Sequence, residues 1–99
     1  MHWILRYAIA PDYLERRTAF RDAHLALAWA SADAGALILG GALGDPPESA
    51  LLLFASEAAA RAFAGADPYV ANGLVTHWEV LPWNTVVGRE AANPVRPAA

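Results

Sequence analysis

Residues 50 to 55 read ALLLFA, an unbroken apolar run bounded by the breaker Asp45-Pro46-Pro47 before it and by Ser56 after it. A run this short, between turn signals, is a strand, and apolar side chains on both alternating faces mean that both sides of its sheet are covered. Leu51, Leu53 and Ala55 point one way, Leu52 and Phe54 the other. Each large side chain is worth about 1.5 to 3 kcal/mol when fully buried. Any fold for this chain must therefore hide two sides of one strand.

The flanking segments say how. From His2 to Ile9 the chain alternates, with Trp3, Leu5, Tyr7 and Ile9 on one face and His2, Ile4, Arg6 and Ala8 on the other, which predicts a first strand. Pro11, Asp12 and Glu15 suit the opening of a helix of about two dozen residues that stops at Gly35. ALILGGALGD, residues 36 to 45, predicts a second strand and a turn. Ser56 caps a helix over EAAARAF. Asp67-Pro68 starts a short helical turn that closes at Asn72-Gly73, and Val75 to Leu81 is the last strand. The order β-α-β-β-α-β is that of an α+β, ferredoxin-like fold with an antiparallel sheet. Its helices cover one sheet face, so the other is expected to meet a second copy in a homodimer of α+β barrel type. Residues 1 to 99 are read as a single domain, with an ordered core over about 1 to 84 and a loose tail over 88 to 99.

Composition excludes several chemistries. The chain has no cysteine, which removes thiolate nucleophiles, disulfides and cysteine-zinc sites. Its histidines, His2, His24 and His77, stand at no helical metal-binding spacing, so no metal is expected. Seven basic residues against ten acidic ones disfavour nucleic acid. RNA-recognition modules share the strand order, but ALLLFA offers them one aromatic and no arginine. Gly40-Gly41 lacks the lysine of a phosphate loop and marks a bulge or close approach instead. Neither a signal peptide nor a membrane span is read, and the cytoplasm is the expected compartment.

Two residues stand out for chemistry, and each has a structural reading beside the chemical one. Asp67 before Pro68 is an N-cap, and it is also a carboxylate in a turn. His24 lies on the first helix near Arg17, Phe20, Arg21 and Leu27 at helical spacing, as a packing residue or as an acid-base group. Arg21 is an anion anchor or the partner of Asp22 or Glu15. Tyr7 and Tyr69 line a pocket or fill the core. His77, sharing its face with Val75, Glu79 and Leu81 in strict alternation, is read as structural, and Trp78 and Trp83 as packing or interface anchors.

The segments RDAHLALAWASADAGALILGGAL and SEAAARAFAGADPYVANGLVTHWEVLPWN closely resemble the YciI family, the YCII-related domain, from the first strand to about Trp83. The specific elements are Arg21-Asp-Ala-His24-Leu25, Gly35, Gly40-Gly41, and Asp67-Pro68-Tyr69 with Gly73 beyond. The resemblance implies a dimeric ferredoxin-like barrel whose site pairs the helix histidine with the aspartate of the Asp-Pro motif, here His24 and Asp67. Arg21, Tyr7 and Tyr69 become the substrate-binding candidates. The turn between the second and third strands is shorter here than in some relatives, so contacts from that loop do not carry over. A carboxylate beside an imidazole, whose ordinary pKa is near 6.5, is the minimum equipment for acid-base catalysis. The expected function is a cofactor-independent lyase or isomerase acting on a small hydroxylated or aromatic-derived metabolite. The alternative is a non-catalytic ligand-binding or accessory dimer. Haem-binding barrels with His24 or His77 as axial ligand form a further alternative.

Overall fold

A computed structural model describes residues 1–98. Its strands β1 (His2–Ile9), β2 (Leu37–Leu43), β3 (Ser49–Phe54) and β4 (Val75–Trp83) form one antiparallel sheet in the order β2-β3-β1-β4. Helices α1 (Tyr13–Asp33), α2 (Glu57–Ala66) and the single turn α3 (Pro68–Ala71) complete the ferredoxin-like α+β arrangement. β3 lies inside the sheet, as its two apolar faces require. Leu52 and Phe54 join Leu5 and Tyr7 of β1 in the core beneath the helices. From α2 the core receives Ala60, Phe63 and Ala64, a stripe at i, i+3 and i+4.

The caps account for the helix ends. Ser56 Oγ accepts from Ala59 N–H at 3.2 Å and opens α2. At the end of α1, Gly35 N–H donates to Ala32 O at 2.9 Å and Ala36 N–H to Ser31 O at 3.0 Å, the paired bonds of a Schellman motif. Gly35 sits at φ +82° to make that turn, a backbone region that a Cβ penalises. Asp12 flanks the start of α1 without a side-chain cap bond. It lies instead 3.9 Å from Arg16.

Two bulges break the alternation expected of an ideal strand. In β2, Leu37 pairs with Phe54 but Leu39 with Leu53, so Ile38 is an extra residue. Leu37 is thereby turned into the core while Leu39 is 65% exposed on the opposite face. In β4, His77 pairs with Ala8 but Val75 with Ile9, leaving Thr76 extra. Val75 is buried, and His77 stands exposed on the other side of the sheet. Strict alternation, which puts Val75 and His77 on one face, fails at this bulge.

The face away from the helices presents Ile4, Leu51 and Leu53 half-buried and Leu39, Leu43 and Trp83 exposed. Its polar margin is an ion pair between Arg6 and Glu79. At one end, where the sequence suggests a loose tail, residues 85 to 95 fold back on β1. Thr85 Oγ1 accepts from Ala92 N–H at 2.8 Å and lies 2.8 Å from His2 Nδ1. Asn93 N–H donates to Thr85 O and Val95 N–H to Val86 O. Among the described residues no helix is long and apolar enough to cross a membrane.

Two glycines are expected to respond oppositely to alanine. Gly65 lies inside α2 with open space where a Cβ would go, so Gly65→Ala should stabilise by about 0.4 to 1 kcal/mol. Gly35→Ala should destabilise by about 1 to 2 kcal/mol, because φ stays positive. Urea denaturation of the two variants checks both signs, and a shared sign would contradict the assigned helix ends.

Candidate functional site

Asp67 occupies the joint between α2 and α3. Its backbone N–H donates to Phe63 O at 2.9 Å and ends α2, while its side chain caps α3 by accepting from Tyr69 N–H at 3.0 Å. Pro68, next in the chain, has no N–H to leave unsatisfied. The residue is 1% exposed, and a carboxylate so placed is costly unless donors meet it. Two further donors do. Tyr7 on β1 donates its hydroxyl to Oδ2 at 2.7 Å. His24 on α1 brings Nδ1 to 2.8 Å from Oδ1.

A carboxylate accepts hydrogen bonds, so Nδ1 of His24 carries the proton and Nε2 is the nitrogen left for other partners. The orientation of the ring is held on three sides. Tyr69 stacks on it with centroids 3.9 Å apart and planes 5° from parallel. Phe63 meets it edge-on at 6.1 Å, and Tyr13 backs Tyr69 edge-on at 5.8 Å. Together Asp67, Tyr69 and Phe63 leave the imidazole little freedom to turn.

Both tyrosines bonded to this cluster resist ionisation. Burial, then the hydrogen bond to Asp67 and the Asp67 charge, holds the Tyr7 phenol far above its ordinary value. Burial also raises Tyr69, against the opposing charges of Arg21 and Arg17. Each stays a neutral donor across the physiological range.

His24 lines a cavity of about 410 Å³ between α1 and strands β2 and β3. One stripe of α1 forms a wall, with Tyr13, Arg17, Arg21, His24, Ala28 and Ala32 at successive helical spacings. Leu37, Gly40 and Leu52 form the floor. A Cβ on Gly40 would come within 3.1 Å of Leu52 Cγ, so glycine there keeps the floor low. Trp29 and Leu39, each 65% exposed, stand at the rim.

The structure thus brings His24, Asp67, Tyr7 and Tyr69 into one hydrogen-bonded and stacked cluster, and Arg21 onto the wall of the same cavity. Among the described residues Arg21 pairs with neither Asp22 nor Glu15. The hydroxyl of Tyr7 is taken by Asp67, and only its ring is left to the cavity. His77 is exposed on the opposite sheet face and has no part in this site. Among the described residues no three metal-ligating side chains are grouped to hold an ion. Sequence reasoning missed Tyr13 and Arg17 as wall residues and Trp29 at the rim. The signal was present in the i, i+4, i+8 series Tyr13, Arg17, Arg21, which continues through His24 and Ala28.

A buried aspartate bonded to a helix histidine beside a cavity is thus set in an α+β ferredoxin-like fold. Residues 1–84 match the YCII-related domain, and the chain belongs to that family. Protein YciI of Escherichia coli O6:H1 and Protein YciI of Shigella flexneri are each 37% identical over 86 residues, covering 76% of this chain and 88% of theirs. The fold is similar to that of 5-chloro-2-hydroxyhydroquinone dehydrochlorinase from Burkholderia phenoliruptrix AC1100 in complex with 2,5-dihydroxybenzoquinone. That similarity has a TM-score of 0.69 at 21% identity and covers 86% of this chain and 95% of the other.

The Tyr7–Asp67 bond generates a stability prediction. Above pH about 10 an unfolded tyrosine loses its proton while folded Tyr7 keeps it. Stability present below that pH must therefore fall as pH rises, by up to about 1.4 kcal/mol per unit from this group. Tyr7→Phe should lower stability at neutral pH by about 1 to 3 kcal/mol and flatten the alkaline decline. Chemical denaturation of both proteins at neutral and alkaline pH measures the two effects, and equal alkaline slopes would show that Tyr7 is not the titrating group.

Proposed function

We propose that this chain is an acid-base enzyme of lyase or isomerase type, needing no cofactor for its proton transfers, and that its substrate is a small hydroxylated or aromatic-derived metabolite. The observation that carries the reading is the 2.8 Å contact between His24 and a fully buried Asp67 at the wall of a ligand-sized cavity. With Nδ1 held, Nε2 is the atom that exchanges protons with a bound molecule. It takes a proton from a substrate hydroxyl or an acidic C–H, and the imidazolium so formed is stabilised by Asp67. Returning that proton to a different carbon completes an isomerisation. Loss of an anionic leaving group instead completes an elimination. The dehydrochlorinase with a similar fold supports the second outcome and a hydroxylated ring as substrate.

The same reading includes a homodimer closed sheet against sheet. Ile4, Leu51 and Leu53, with the exposed Leu39, Leu43 and Trp83, make one face of the sheet largely apolar. Burial of that face is what the apolar pattern of β3 calls for, since α1 and α2 lie on the other side.

A panel of hydroxylated and chlorinated quinols, with 5-chloro-2-hydroxyhydroquinone first, tests the chemistry. His24→Asn should lower kcat by about 10²- to 10⁴-fold with binding retained. Asp67→Asn keeps an acceptor for His24, and its amide can donate to the Tyr7 hydroxyl, so it removes the charge while sparing the geometry. It should also lose at least about 10²-fold. Binding without turnover by the parent would identify a ligand-binding protein instead. Light scattering should give the mass of two chains, and Leu53→Glu, which places a charge at the centre of the apolar face, should give the mass of one.

A further inference from the structure

We infer that the cavity is built for an anionic ring, a small planar hydroxylated ring carrying a carboxylate, with the carboxylate held by Arg17 and Arg21. This rests on the reading of the cavity as a substrate site and adds the charge of the substrate to it. Arginines elsewhere on the helices and sheet are engaged. Arg6 pairs with Glu79 and Arg61 with Glu57, and Arg16 donates to Asn72 O at 2.6 Å. Arg17 and Arg21 have no carboxylate partner among the described residues. They share the cavity stripe of α1, and no aspartate or glutamate side chain lines that cavity. A chain of net charge −3 thus keeps one concavity positive, which is the arrangement that gathers an anion.

The position of the two charges suits a ring. The Arg17 guanidinium lies 5.8 Å from the centre of the Tyr13 ring, which restrains it beside the cavity. Burial raises the pKa of the Tyr69 phenol and the charges of Arg21 and Arg17 oppose that rise, which agrees with the place of all three side chains on the wall of one cavity. One helical turn, about 5 Å, separates Arg21 from His24. A small ring lying along that stripe of α1 would turn its carboxylate toward the arginines and a ring hydroxyl toward His24. Tyr13 and Tyr69 supply aromatic walls, and guanidinium groups are the donors whose fork matches a carboxylate.

The test compares two probes that differ only in the anionic group, 2,5-dihydroxybenzoate and hydroquinone, by calorimetric titration of the full chain. The parent should bind 2,5-dihydroxybenzoate at least about tenfold more tightly, and added potassium chloride should weaken that probe alone. Arg17→Gln combined with Arg21→Gln should abolish the preference while hydroquinone affinity changes little. Circular dichroism confirms that the variant remains folded. Equal affinity for the two probes, binding of neither at millimolar concentration, or equal loss of both in the double variant would overturn the inference. Turnover by His24→Asn reads the acid-base assignment separately. Equal probe affinities together with a turnover loss in that variant would remove the arginine site and leave the acid-base reading standing.

Discussion

The buried carboxylate of Asp67 is the constraint on which the site depends. A charge with almost no exposure is tolerated only where donors surround it, and here they arrive from three different elements. Tyr7 belongs to a central strand, His24 to the long helix and Tyr69 N–H to the turn that Asp67 itself caps. The bonds from Tyr7 and His24 are therefore ties between parts of the chain far apart in sequence, while the bond from Tyr69 N–H is local. The aspartate is at once a cap, a cross-link and the orienter of an imidazole. These roles reinforce one another, because whatever fixes the carboxylate also fixes the histidine.

The cavity follows from the way α1 is mounted. Only Tyr13 of that helix is fully buried, while Phe20, Leu27, Ala28 and Ala32 are partly buried against the core, so the helix stands off the sheet along the cavity. Its alanine-rich second half keeps the cavity stripe thin, and Gly40 keeps the opposing floor low. The His24–Asp67 contact, the stack on Tyr69 and the bond from Arg16 to Asn72 O hold the helix at its polar end. A helix packed on the sheet along its whole length would have left no room for a ligand.

Much of this was legible in the chain. The breaker Asp45-Pro46-Pro47, the cap Ser56 and the stop Gly35 mark element ends by local chemistry that needs no tertiary context. ALLLFA announces its interior position by its own pattern. His24 and Asp67 were legible as a pair only through the resemblance of their motifs to a family, since neither spacing nor propensity links residues so far apart. The bond from Tyr7 to Asp67 was hidden for a similar reason, because a buried strand tyrosine reads as core until its hydroxyl finds a partner. Thr76 and Ile38 were out of reach in another way. A bulge changes pairing without changing the alternation of residue types, so His77 was grouped with Val75 although the two face opposite sides of the sheet.

The extra residue at Ile38 makes β2 a strand with two parities. Before it, odd-numbered positions look into the cavity, and after it, even-numbered ones do, which is how Leu37 and Gly40 come to share one surface while Leu39 belongs to the other. The spare residue makes this segment tolerant of a single deletion and of no more. Loss of Ile38 or Leu39 would leave one residue opposite Leu53 on the outer face, with Leu37 and Gly40 still on the cavity floor, because the bulge absorbs the change. A second loss would have no spare residue to consume and would set the parity of the strand against that of its neighbour.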